Sequence, residues 1–259
     1  MSQFRQDDFT FDLQRFADPV ELTFKDGSLY AGDTKLDTTT ENSATHYTLD
    51  GENYVINSSI ELNHPIWVSG SNTTITINSG ATLSKGDASS NANYNDHVIA
   101  VKRGAALTLD GEGTISYTGS QSSACGVKVT VAGEARDANS YTAEKATLIV
   151  NGNLTIEGPG YGVAGNGTRH NTSITINGGT IKATNTASDC TGIYNPQDGD
   201  LTITGGTITG KTGVEIRAGS LTVSGENTKI TSTVNTPLKS HANGNGSTSA
   251  GAGIAVVQH

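Results

Sequence analysis

The sequence predicts an all-β fold: a single-stranded parallel β-solenoid with three short strands in each coil and an N-terminal capping or docking segment. Two repeated features predict it, namely a strand of the form Leu-Thr-Ile/Val-x-Gly and a Gly-Val or Gly-Ile pair that opens a later strand. The third observation is composition, because only 16% of the residues are charged while 32 are glycine. Short strands and tight turns favour such a composition.

We expect one body in three parts: an aromatic N-terminal segment (1–18), a hairpin region (19–53) and the β-helix (54–259). All five phenylalanines lie within the first 24 residues. Residues 9–17 alternate apolar and polar residues at first and then fit one helical turn, so periodicity leaves their conformation open. Their aromatic side chains need a cover, which the end of the solenoid, a second copy or an assembly factor would provide.

The hairpin region begins with two alternating runs around Asp26-Gly27, which predict a β-hairpin. Residues 32–45 are polar and threonine-rich and predict a loop. The run at 46–56 repeats the hairpin pattern with Asp50-Gly51 at the turn.

Six copies of a middle strand follow, and alternate apolar residues in each predict a continuous interior column. Each buried side chain of such a column contributes about 1.5–3 kcal/mol. A shortest interval near 20 residues fits three strands per coil, and longer intervals predict loop insertions at the corners. The first inward residues are Ile75, Leu107, Leu148, Ile174, Leu201 and Leu221, at intervals of 32, 41, 26, 27 and 20.

A polar residue after each middle strand predicts hydrogen bonds from coil to coil. Residues 238–252 are rich in glycine, serine and asparagine, as in flexible linkers. The apolar strand at 253–257 then has no polar cap, so we expect an open edge there. The polar corner residues are Asn78, Asp110, Asn151, Asn177, Thr204 and Ser224.

A net charge of −9 and a pI near 5.0 argue against nucleic acid as a partner, since phosphate binding needs clustered lysine and arginine. No apolar run is long enough to insert into a membrane, and the first residues lack the pattern of a secretory signal. Cys125 and Cys190 lie two repeats apart, about 9–10 Å in a stacked solenoid, which is too far for a disulfide. We expect both cysteines to be free and buried.

Residues 11–17, FDLQRFA, resemble the short N-terminal tag of many leaderless bacterial and prophage-encoded proteins, including large repetitive surface proteins. That resemblance implies assembly or export. It places the protein outside the cell or at the cell surface without a standard signal peptide, or in a phage particle.

The repeats over about residues 54–257 resemble the right-handed parallel β-helix superfamily of pectate lyases, polygalacturonases and phage tailspikes. The resemblance implies right-handed winding, with carboxylates and basic residues on outer faces that bind calcium or act on a uronide. The polygalacturonase motifs are missing as a set, since Ser188-Asp189 and Ile216-Arg217 are fragments. The candidate residues are Asp189, Asp198, Asp200, Glu215 and Arg217.

Asp198 and Asp200 would be the carboxylate pair that glycoside hydrolysis needs, but the Asp-Gly between them is more typical of a turn. His97 and His170 fall in inserted loops without a ligand set, which predicts no metal and no cofactor. We predict no catalytic residue.

Outward threonines form two rows that resemble the threonine ladders of ice-binding solenoids. Ile149 interrupts the first row, Glu157 and Lys182 flank the second, and we expect inserted loops to break a flat face. Threonine also simply favours strands. The rows are Thr76, Thr108, Thr175, Thr202 and Thr222, then Thr82, Thr114, Thr155, Thr180 and Thr207.

The leading hypothesis is a non-enzymatic structural or adhesive β-solenoid that forms homo-oligomers or filaments through its ends, with a surface glycan as a further partner. The alternatives are a carbohydrate-active β-helix, either a lyase or a tailspike-type depolymerase, and an ice- or surface-binding protein. The predicted assembly residues are Phe9, Phe11, Leu13, Phe16, Ile254, Val256 and Val257.

Overall fold

The computed structural model describes residues 18–41, 44–87, 96–131, 144–166, 171–186, 190–235 and 251–257. These residues form 26 strands and no helix. In chain order the strands are β1 Val20–Lys25, β2 Ser28–Ala31, β3 Thr34–Lys35, β4 Thr38–Glu41, β5 Ala44–Leu49, β6 Asn53–Ile56, β7 Ile60–Leu62, β8 Ile66–Val68, β9 Thr73–Ile77, β10 Thr82–Lys85, β11 His97–Val101, β12 Ala106–Gly111, β13 Thr114–Tyr117, β14 Cys125–Val129, β15 Ala146–Val150, β16 Thr155–Gly158, β17 Tyr161–Ala164, β18 Thr172–Ile176, β19 Thr180–Ala183, β20 Thr191–Asn195, β21 Gly199–Ile203, β22 Thr207–Gly210, β23 Thr212–Ile216, β24 Ser220–Val223, β25 Lys229–Ser232 and β26 Ala252–Val256.

The strands form three sheets that the chain visits in turn, so each coil supplies one strand to each sheet. Strands of successive coils pair in parallel, which confirms the predicted three-stranded parallel β-helix. The orders are β24-β21-β18-β15-β12-β9-β6-β1-β2-β3 in sheet I, β25-β22-β19-β16-β13-β10-β7 in sheet II and β26-β23-β20-β17-β14-β11-β8-β5-β4 in sheet III.

Alternate side chains of the strands stack inside the coils, as the sequence predicts. In sheet II one interior column runs through six coils in register, and no member is more than 2% exposed. Since one coil cannot hide these side chains alone, their burial comes from stacking. The column consists of Ile60, Leu83, Ile115, Ile156, Ile181 and Ile208.

The alignment of the first two middle strands is wrong by two residues. Leu109, and not Leu107, lies opposite Ile75, because Gly111 extends β12 to a position opposite Ile77. A shift of two residues keeps every side chain on its own face, so the alternation of inward and outward residues is unaffected.

The register shift divides the predicted polar ladder into two parts. Asn78 donates to the side-chain oxygen of Asn57 at 2.6 Å, and Asp110 instead lies beside Thr76. A second ladder runs through Asn151, Asn177 and Thr204. In it the Asn177 amide donates to Asn151 at 2.9 Å, and the Thr204 hydroxyl donates to Asn177 at 2.7 Å.

The N-terminal region confirms one predicted hairpin and corrects two other predictions. β1 and β2 pair antiparallel around Asp26 and Gly27, both with positive φ. Residues 32–45 are not all loop, because β4 pairs antiparallel with β5. The sequence pattern did not reveal β4, since a polar edge strand lacks alternating apolar residues.

Asp50-Gly51 is a corner and not a hairpin turn, since β5 belongs to sheet III and β6 to sheet I. Parallel pairing therefore starts upstream of residue 54, with β1 on β6.

Long connections adjoin sheet III. Connections from sheet I to sheet II have two to five residues, whereas residues 86–96, 130–145 and 233–251 connect a strand of sheet III to a neighbouring sheet. Loop insertions thus leave the corner between sheets I and II short. Among the described residues, no helix is long and apolar enough to cross a membrane.

Candidate functional site

The two ends of the β-helix differ. At the N-terminal end, β2 and β3 continue sheet I and β4 continues sheet III, all antiparallel. Leu22 of β1 and Leu29 of β2 are fully buried. At the C-terminal end, formed by β24, β25 and β26, each sheet stops at a parallel strand with no described strand beyond it.

Interior side chains of the last coil are exposed at this C-terminal end. Val223 and Ile254 are 42% and 43% exposed, whereas their neighbours one coil earlier, Ile203 and Val214, are fully buried. Val256 is 82% exposed beside Ile216. The C-terminal end therefore presents an apolar centre within a ring of three strand edges.

The predicted assembly residues differ in their exposure, and some of them lie outside the described residues. Ile254 and Val256 lie exposed at the C-terminal end, but Val257 is only 7% exposed and its amide donates to the carbonyl of Ile216. Val223 completes the exposed apolar set and was missed, because its strand motif is the same as in buried copies. The other predicted residues, Phe9, Phe11, Leu13 and Phe16, lie outside the described residues.

The outer face of sheet III is unusual because its side chains are buried. Trp67 lies between interior residues Ile66 and Val68, so alternation turns it outward, and yet it is fully buried. Two apolar clusters lie on this face apart from the main core. They consist of Ala44, Trp67, Ala100 and Val131, and of Cys125, Tyr161, Ala164 and Tyr194.

A hydrogen-bonded set, here called the Trp67 network, crosses this face in the N-terminal coils; its members are His46, Trp67, Asp96, His97 and Lys128. The His46 ring stacks on the indole with centroids 3.8 Å apart. The indole N–H donates to Nε2 of His97 at 3.0 Å, and Nδ1 of His97 lies 3.4 Å from Asp96 Oδ1. Lys128 Nζ lies 2.8 Å from the same oxygen.

The electrostatics of the network keep His97 neutral. Its Nε2 accepts from the indole, so Nδ1 carries the proton and donates to Asp96. Burial lowers the pKa of His97 to about 4. Burial also acts to raise the pKa of Asp96, but Lys128 and His97 beside it bring that pKa below its usual value. Both nitrogens of His97 are occupied, so it is poorly placed to act as a general base.

The sequence placed His97 in an inserted loop, and this is wrong. His97 is the first residue of β11 and lies beside Cys125 of the next coil. The apolar run from Val98 to Val101 was the available signal for this strand. Nothing in the local pattern showed that the outer face of sheet III would be buried.

The structure brings two of the candidate catalytic residues, Glu215 and Arg217, into direct contact. Glu215 and Arg217 form a buried ion pair on sheet III, with Nε and Oε1 2.8 Å apart and side chains 0% and 2% exposed. Asp200 belongs to sheet I and accepts a hydrogen bond from the Ser220 hydroxyl. Asp198 lies in the connection from sheet III to sheet I, while Asp189 and His170 fall outside the described residues.

The two cysteines are buried and form no disulfide with each other, as predicted. Cys125 pairs with Tyr161, which pairs with Thr191 beside Cys190, so the cysteines are two coils apart. Burial raises the pKa of the Cys125 thiol well above its usual value, which disfavours the reactive thiolate. Within the described ranges, no group of three His, Cys, Asp or Glu side chains could hold a metal ion.

Threonine columns occupy the outer faces of sheets I and II. The sheet I column begins at Thr74 and not at Thr76, because of the register shift at β12, and Ile149 interrupts it. The inserted loops adjoin sheet III and not the short corner between these two sheets. The columns are Thr74, Thr108, Thr175, Thr202 and Thr222 in sheet I, and Thr82, Thr114, Thr155, Thr180 and Thr207 in sheet II.

No protein-family model, no curated protein and no solved structure matches this chain.

Proposed function

We propose that this protein is a non-enzymatic structural or adhesive β-solenoid that associates with a second copy of itself through the C-terminal end of the β-helix. The observation that carries the proposal is the exposure of Val223, Ile254 and Val256 within a ring of three strand edges. Strand edges without a described neighbour offer main-chain hydrogen bonds, and the exposed side chains offer apolar area.

The shape of this end favours another coil of the same cross-section as its partner. A second C-terminal end, related by a two-fold axis, supplies three strand edges and an apolar centre at once. The antiparallel strands β2, β3 and β4 occupy the N-terminal edges of sheets I and III, which disfavours head-to-tail stacking. The expected product is therefore a closed pair and not an open filament.

The proposal also includes what the two sequence resemblances imply about the protein. They imply right-handed winding with a place in the pectate-lyase-like superfamily, and a location outside the cell, at its surface or in a phage particle. A surface glycan is the partner we propose for the adhesive form. Support for an enzymatic role is weaker, because Glu215 and Arg217 neutralise each other in a buried pair.

Sedimentation of the purified chain over a hundredfold range of concentration tests the self-association. We expect the mass to rise from one chain to two. The double variant Val223→Lys with Ile254→Lys should remain a single chain, because burying two lysines in the contact costs several kcal/mol. The control Asp33→Lys, exposed on the N-terminal hairpin, should pair as the parent does. A parent chain that stays single at the highest concentration would refute the proposal.

A second candidate function is binding to ice or another ordered surface by the threonine columns. It is favoured by the register of these columns, with hydroxyls about 4.8 Å apart along each sheet, and by the short corner between sheets I and II. The replacement Thr202→Lys should abolish crystal shaping, while Asp33→Lys should keep it. Unaltered ice growth in the presence of the parent chain, under the microscope, would exclude binding to ice.

A further inference from the structure

The Trp67 network joins three neighbouring strands of sheet III. His46 lies in β5, Trp67 in β8 and His97 in β11, and all three side chains are at most 2% exposed. Both rings touch the indole, one by stacking at 3.8 Å and the other through the 3.0 Å hydrogen bond. Trp67 is also the only tryptophan of the chain, so its fluorescence reports on this network alone.

The contacts of His97 exist only while its imidazole is neutral. A second proton would be placed on Nε2, which faces the N–H of the indole, so the hydrogen bond would become a contact between two donors. His46 lies with Nδ1 3.2 Å from the carbonyl of Ala44. A charge on its ring would be buried against the indole with little access to water.

Among the residues that the structure describes, the charged groups around the network do not compensate for added positive charge. Of the carboxylates that face it, Asp96 pairs with Lys128 at 2.8 Å and Glu41 pairs with Lys102 at 2.7 Å. Lys102 also lies over the Trp67 ring, with Nζ 5.6 Å from its centroid. The remaining neighbours are His64, Lys85 and the Cys125 thiol. Each new imidazolium would therefore join lysines that already use the local carboxylates.

The described residues of the later coils do not show this arrangement. At the same outer face they carry the stacked pair Tyr161 and Tyr194, followed by Glu215 and Arg217. None of these is an imidazole. Because each coil of a solenoid contacts only its neighbours, one part can open while the rest stays folded.

We propose that the Trp67 network is an acid-sensitive latch: protonation of His46 and His97 releases β4, β5 and β8 from their contacts while the C-terminal coils stay folded. The direction of the pH dependence of stability follows from the pKa values of both imidazoles, which are lowered mainly by burial. A lowered pKa in the folded state gives stability that is complete above the unfolded value near 6.5 and is lost as pH falls below it. For His97 the loss continues down to its folded pKa of about 4. Opening of these three strands would leave the β11 edge of sheet III without its neighbour.

Trp67 emission and amide hydrogen exchange between pH 7.5 and 4.5 test the latch on the full chain. We expect a red shift of emission as the indole reaches water. Exchange in residues 44–49 and 66–68, corrected for its intrinsic pH dependence, should rise on the order of 100-fold. Exchange in residues 172–176 and 201–203 should change little.

Variants separate the latch from general acid unfolding. His46→Gln with His97→Gln removes both titrating rings, and the amide oxygen at 97 can still accept from the indole, so the transition should disappear. His64→Gln, a neighbouring imidazole outside the network, should keep it. If the double variant fails to fold, the exchange pattern of the parent chain still distinguishes the latch from general acid unfolding. Unchanged emission down to pH 4.5, loss of protection in all coils together, or an unaltered transition in a folded double variant would each overturn the proposal.

Discussion

The Glu215→Gln variant is expected to lose about 3–5 kcal/mol of the free energy of unfolding, because it removes a buried carboxylate that lies against the buried Arg217 guanidinium. The two side chains are almost completely inaccessible, with Nε and Oε1 2.8 Å apart. Urea titration followed by circular dichroism measures the loss.

A partly exposed pair provides the control for this measurement. Glu157 and Lys182 lie at the same distance, 2.8 Å, but are 22% and 40% exposed. Glu157→Gln should therefore cost at most about 1 kcal/mol. The double variant Glu215→Leu with Arg217→Met removes both buried charges and should recover most of the stability. Equal losses for the buried and partly exposed glutamate variants would show that burial does not govern this pair.

The Gly111→Ala variant is expected to lose at least about 3 kcal/mol of stability. Gly111 has φ +106°, and a Cβ there would lie 2.1 Å from the carbonyl oxygen of Ile77. That oxygen belongs to backbone in the neighbouring coil, so it cannot move aside as a flexible side chain would. The substitution should disturb the register shift between β9 and β12.

The Gly80→Ala variant is the control that shows how much of the loss comes from the positive φ alone, without a steric clash. Gly80 also has positive φ, +81°, but nothing lies within 4 Å of a Cβ built on it. Its replacement should cost only about 1 kcal/mol, the strain of the left-handed conformation. Thermal unfolding of both variants gives the difference. A loss at position 111 no larger than at position 80 would mean that the coils can separate to admit a methyl group.

The interior of the β-helix could be predicted because it depends on local alternation. Leu148 and Val150 are both fully buried, as their strand pattern predicts. Alternation has a period of two, so it cannot detect the two-residue shift that places Leu109 opposite Ile75. It also cannot detect β4, whose threonines and glutamate join a sheet only because β5 offers an edge.

The candidate sites were harder to predict because they depend on what covers a face. Trp67 and Glu215 occupy outward positions, which usually are solvated, and both are buried. The contact between the Trp67 indole and His97 joins residues 30 positions apart. No local motif specifies such a contact, whereas the exposed strand at Ile254 was visible in the sequence as an apolar edge without a polar cap.

The placement of the long connections has a practical consequence for engineering. The corner between sheets I and II fixes the stacking of coils with turns of two to five residues, while the corners of sheet III already carry connections such as 130–145 and 233–251. Lengthening a loop costs little free energy once it is long. Foreign peptides or whole domains inserted at the two corners of sheet III would then be displayed along both edges of that sheet, with sheets I and II left free for immobilisation on a support.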